Sequence, residues 1–259
     1  MIDPVHFYAL YGPGMVFSLA LGRDGVFAYS LAGNMGPFFP LRLIGEWEGS
    51  DPVNVAPLRQ RALELSRITP ANAPSLPDSA FISIGQVQDG AMKGGEYALY
   101  DPPEKIASLL KEVLNLVKGG WLSEAVKAIS ANCRLRSAKP PVSAEIVIES
   151  VGKKEVHFTN PLRANVLKAI LLDPLTDLTV EPRASEMRVS SSGRDTNNPI
   201  MKLASGDQLS LALDILTDIP AGSWELHLSM ELTGGNPGTD DLVEGVISWE
   251  PFKVVAATS

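Results

Sequence analysis

Trp224-Glu225-Leu226-His227-Leu228-Ser229-Met230-Glu231-Leu232 decides the fold. Trp224, Leu226, Leu228, Met230 and Leu232 alternate with Glu225, His227, Ser229 and Glu231. A strand here has one dry face and one wet face, the period-two signature of an antiparallel sheet packed on one side. A helix would scatter the same side chains around its circumference.

Outward from this strand, no segment after residue 142 carries a convincing helical stripe. Strands are expected over 144–149, 154–160, 166–172, 178–181, 186–190, 208–215 and 243–255, with turn-forming residues between them. Seven or eight strands in about 115 residues is the density of an immunoglobulin-like sandwich.

The front half mixes the two periods. Met15, Phe17, Leu19 and Leu21 alternate with Val16, Ser18 and Ala20, and Gly22-Arg23-Asp24-Gly25 supplies the tight turn of a hairpin into 26–31. A short strand is expected over 41–47, and further strands over 81–87 and 96–100 with a glycine-rich turn between them. Val55, Leu58, Ala62 and Leu65 recur at helical spacing, as do Ile106, Leu109, Leu110, Val113 and Val117. Asp101-Pro102-Pro103-Glu104 starts the second of these helices and Gly119-Gly120 ends it. A shorter helix is expected over 122–132. The fold class is therefore an α+β domain over 1–138, followed by an all-β sandwich over 142–259. Lys139-Pro140-Pro141 is read as a stiff linker between them.

Charge divides the same way. Residues 142–259 hold nine Lys and Arg against seventeen Asp and Glu, which accounts for the whole net charge of −8. The front half is balanced and has no basic stripe, so nucleic acid is disfavoured as a partner. No run approaches the roughly 20 apolar residues that cross a bilayer, and residues 1–21 lack the basic start of a secretory signal. Cys133 is the one cysteine, which excludes an internal disulfide. A soluble, cytoplasmic protein is the expectation.

Chemistry-bearing patterns are sparse. His6, His157 and His227 have no metal-ligand spacing, and no cofactor or metal is expected. Cys133 beside Arg134 and Arg136 could be an activated thiol, but a lone cysteine is more often a packing residue. His227 shares its wet face with Glu225, Ser229 and Glu231. The oxygen-rich run Gly234 to Asp241, with Glu244 beyond, resembles a loose calcium loop without the fixed spacing of an EF-hand. Candidate ligand-binding residues are thus Asp240, Asp241, Glu244 and His227. The polar stretch 183–198 is either a contact surface or a loop without fixed structure.

The function expected is a non-enzymatic protein-binding module: an adaptor, an inhibitor or neutralising partner, or an assembly component. The alternatives are a hydrolase whose acidic and histidine residues meet in the fold, and a carbohydrate- or calcium-binding sandwich in which Trp224 and Trp249 are exposed.

Overall fold

The computed structural model describes residues 5–11, 14–32, 42–67, 81–88, 91–98, 102–163, 165–191, 198–232 and 242–256. The chain is mostly β and forms large antiparallel sheets. It divides into two compact units, one of residues 1–38 and 45–128, the other of residues 39–44 and 129–259.

In the first unit the strands β1 (Val5–Tyr11), β2 (Gly14–Leu21), β3 (Val26–Leu31), β4 (Leu43–Ser50), β5 (Phe81–Gln88) and β6 (Ala91–Ala98) lie in the order β4-β3-β2-β1-β5-β6. Two helices accompany them, α1 (Pro52–Ser66) and α2 (Glu104–Lys118). The apolar stripes foreseen for both helices are buried: Val55, Leu58, Ala62 and Leu65 on α1, and Ile106, Leu109 and Val113 among those on α2. The β2–β3 hairpin closes with Gly22 N–H donating to Val26 O and with Gly25 at φ +78°. A Cβ on Gly25 would lie 2.5 Å from Pro52 Cα, so glycine also lets α1 begin directly against the turn.

Three features of this half differ from expectation. The glycine-rich stretch after β5 is not a turn, because Gly94 and Gly95 lie within β6, opposite Gly85 and Ile84. A Cβ on Gly94 would stand 1.8 Å from Ile84 O, so these glycines allow two backbones to approach closely. The helix expected over 122–132 is a single 3-10 turn, Leu122–Glu124, followed by the strand β7 (Ala125–Ser137). Pairing with β8 from Ile129 onward overrides the Ala-rich local preference. Asp101, expected to cap α2, falls outside the described residues, and the N-cap position is Pro103.

The second unit is a sandwich of two antiparallel sheets. One has the order β12-β14-β8-β7, from β12 (Met187–Ser190), β14 (Gln208–Ile215) and β8 (Val142–Ser150). The other runs β11-β10-β15-β16, from β11 (Thr179–Val180), β10 (Leu167–Leu172), β15 (Gly222–Leu232) and β16 (Gly245–Ser248); β17 (Phe252–Ala256) also pairs with β15. A two-stranded ribbon, β9 (Val156–Thr159) with β13 (Ile200–Leu203), completes it. Ile146, Ile148, Leu209 and Leu211 of one sheet share a core with Leu171, Leu226, Leu228 and Met230 of the other. The dry face of β15 is buried from Trp224 to Leu232, as its alternation requires.

The strand expected over 243–255 is two strands, interrupted at Trp249-Glu250-Pro251, because Pro251 cannot donate to a ladder. The compact units divide within β7, between Ala128 and Ile129, whereas Lys139-Pro140-Pro141 lies in the β7–β8 connection inside the sandwich.

Candidate functional site

Of the residues singled out in sequence, the described ones, Glu244 and His227, lie apart. Asp240 and Asp241 lie outside the described residues. Glu244 is exposed just ahead of β16. His227 sits five residues along β15 from the end near which Glu244 lies, on the order of 17 Å away at strand rise. Its side chain is half-exposed, yet Nε2 is turned against the sheet, 3.7 Å from Glu225 Oε2 and without a hydrogen-bond partner. Ile170 lies directly across from it and Lys253 across from Glu225, which makes this a mixed solvated face. His157 Nε2 meets Glu155 Oε1 at 2.7 Å on the surface. Burial pushes the Cys133 thiol up to about 12, so it is protonated at neutral pH and packs as a small apolar group. Trp224 and Trp249 are both buried, with Nε1 bonded to Pro220 O and Ala131 O, and present no platform for a sugar. Among the described residues no group of three or more His, Cys, Asp or Glu side chains could hold a metal, and no helix is long and apolar enough to cross a membrane.

What the fold does build is a groove of about 380 Å³ on one side of the sandwich, beside β12. Leu162, Leu167, Met187, Val189 and Leu216 supply its apolar lining, and Arg163 and Arg188 the only charges among its described lining residues. The strand ladders explain why it lies here. Leu216 N–H donates to Glu186 O, so Glu186, Arg188 and Ser190 turn their backbone groups to β14, and Met187 and Val189 turn theirs away. Met187 N–H is used by Ala184 O; the Val189 N–H and C=O and the Met187 C=O point away from β14, where no described strand pairs with them. The facing sheet repeats the pattern. Glu231 N–H donates to Val166 O, which turns Leu167, Ala169 and Leu171 away from β15. β11 covers β10 only at Leu171 and Leu172, leaving the backbone of Leu167 and Ala169 without a strand partner among the described residues.

Both walls are held by buried or clamped polar groups. Asn160 is fully buried; its Nδ2 donates to Asn198 O at 2.7 Å and its Oδ1 accepts from Leu162 N–H at 3.0 Å. These bonds fix the loop that carries Leu162 and Arg163. On the other wall Glu186 Oε2 accepts from Arg183 N–H at 2.8 Å and from Thr217 Oγ1 at 3.3 Å, which sets the start of β12. With that carboxylate engaged, Arg163 and Arg188 have no ion-pair partner among the described residues. Asp214 is opposite Arg188 on the ladder but makes no ion pair with it. On the opposite side of the sandwich Val255 N–H on β17 donates to Ala138 O in the β7–β8 connection.

A cavity of about 390 Å³ in the first unit contrasts with this groove. It is lined by both signs of charge, Arg61, Glu64, Glu104 and Lys105, and Arg61 is already paired to Glu112. Such a surface neutralises itself.

No protein-family model matches the chain, and no curated protein matches it in sequence. Solved structures give partial likenesses. A class 5 fimbriae chaperone, CfaA, is 14% identical with a TM-score of 0.29, over 49% of this chain and 57% of that one. A chaperone–tip adhesin complex of CFA/I fimbriae biogenesis is 11% identical with a TM-score of 0.28, over 49% and 57%. AvmM, which catalyses macrocyclization in alchivemycin A biosynthesis, is 10% identical with a TM-score of 0.26, over 51% of this chain and 89% of that one. The matches to the two fimbrial chains thus span little more than half of their length, and at these scores the likenesses carry no inference.

Proposed function

We propose that this chain is a non-enzymatic protein-binding module whose C-terminal sandwich takes up an extended segment of a partner along β12. The observation that carries this reading is the pair of strand edges turned toward one apolar groove. Unpaired backbone donors and acceptors are a template for an added strand, and adjacent apolar pockets give such a strand side-chain specificity. An adaptor, an inhibitor and an assembly component would all use such a surface.

The test uses the ladder's parity. Val189→Pro removes a donor that β12 does not lend to β14, so the sheet should survive, as prolines are tolerated on outward edge positions. Peptides selected from a display library of unstructured segments should bind the wild-type protein and lose binding to Val189→Pro. They should still bind Leu175→Ser, altered at an exposed turn outside the groove. Selected peptides that bind Val189→Pro unchanged, or a library that yields no binder, would refute the reading.

A further inference from the structure

We infer that the segment taken up at β12 alternates acidic and apolar residues, a deepening that rests on the module reading above. The argument is one of facing side chains. A strand added beside β12 places alternate residues on the face of Met187 and Val189 and the others on the face of Arg188. The first set meets Leu162 and Leu167, an apolar lining that rewards Val, Ile or Leu. The second set meets Arg188, with Arg163 also lining the groove. No carboxylate among the described lining residues answers these two guanidiniums; Glu186 already accepts two hydrogen bonds, and Asp214, across the ladder from Arg188, makes no ion pair with it. Arginine forks bind carboxylates in paired hydrogen bonds, so Glu or Asp at the second set is the complementary choice.

The rest of the unit sharpens this rule. Residues 142–259 carry eight net negative charges, so the groove is a local basic exception in an acidic field. A long polyanion is repelled by that field, whereas two carboxylates within reach of Arg163 and Arg188 gain more than they lose inside one Debye length. The occupant is therefore a short strand of a partner protein with acidic residues every second position, not a nucleic acid and not an acidic tail.

The experiment compares three capped, fluorescently labelled peptides with the same valine and leucine positions and with Glu, Gln or Lys between them. Anisotropy titrations at low and high salt read the affinities. The Glu peptide should bind about fivefold more tightly than the Gln peptide at low salt, the size of two partly exposed ion pairs, and the Lys peptide more weakly than either. The advantage should shrink at high salt, and the double variant Arg163→Gln, Arg188→Gln should lower the Glu peptide to the Gln peptide's affinity. Equal binding of Glu and Gln peptides would overturn the inference and leave the module reading intact. Library-selected peptides that bind at Val189 while none of these three does would have the same meaning. A dimer in sedimentation that competes with peptide and is lost in Val189→Pro would make the occupant a second copy and overturn it too.

Discussion

Asp51→Ala should detach helix α1 from an aromatic stack, and the structure sets the size of the loss. Asp51 is the N-cap of α1: its Oδ1 accepts from Asn54 N–H at 3.2 Å, and its Oδ2 from Asn54 Nδ2 at 2.8 Å and from Trp121 Nε1 at 2.8 Å. Trp121 is buried and stacks on Phe27, ring centroids 3.9 Å apart at 12°. Removing a capping carboxylate costs about 1 kcal/mol. Stripping the indole N–H of its acceptor adds roughly 1 kcal/mol, the low end of the range, because the half-buried site admits water in its place. A total of about 2 kcal/mol should lower the melting temperature of this unit by roughly 6–10 °C, read by far-UV circular dichroism together with tryptophan fluorescence. The hydrogen bond from the Asn54 side chain, with that from Trp121, holds the Asp51 carboxyl below its ordinary value, against a partial opposition from burial. A carboxyl lowered in the folded state stabilises fully above its unfolded pKa, about 4, and loses that contribution as pH falls through the folded value. The wild-type protein should therefore lose stability more steeply than Asp51→Ala below about pH 4. A variant within about 0.5 kcal/mol of wild type at pH 7, or parallel pH profiles, would refute the clip.

On β15, Leu228→Ala should cost about 2–5 kcal/mol in urea unfolding, since its buried side chain leaves a cavity, while His227→Ala on the solvated face should stay within about 0.5 kcal/mol. Reversed magnitudes would mean a register slipped by one residue. For independent folding of the sandwich, a fragment of residues 129–259 should unfold cooperatively. A fragment starting at residue 142 should be less stable, because it lacks β7 and bares one edge of β8. Equal midpoints for the two fragments would place the functional boundary at the diproline after all.

Where the alternation ran along one strand, the sequence was enough to read it. Trp224 to Leu232 and the β2–β3 hairpin needed only local period and one turn, and helices α1 and α2 only a stripe at three- and four-residue spacing. β7 was missed because Ala125, Ala128 and Ile129 imitate that stripe, and the pairing that decides against it comes from β8. Gly94 was misread as a turn because the reason for it is Ile84 O across the ladder, which local sequence does not contain. The groove was missed for the same cause on a larger scale. Leu162, Arg163, Arg188 and Leu216 become neighbours only once β10 and β12 become facing edges. The one signal was the polar stretch 183–198, read as a contact surface or an unstructured loop; its first part is β12, and residues 192–197 lie outside the described set. Asp240, Asp241, Glu244 and His227 were chosen by residue type; the first two lie outside the described residues, and Glu244 and His227 stand well apart along β15.

A strand edge open to a partner is open to any passing copy of the same protein. The net charge of −8, all of it in the half that carries the groove, is then a colloidal safeguard: copies repel before their edges can zip together. That safeguard has a set point. Near the sequence pI of about 5.0 the repulsion vanishes while the edge remains. Self-association measured by light scattering should peak there and fall away on either side.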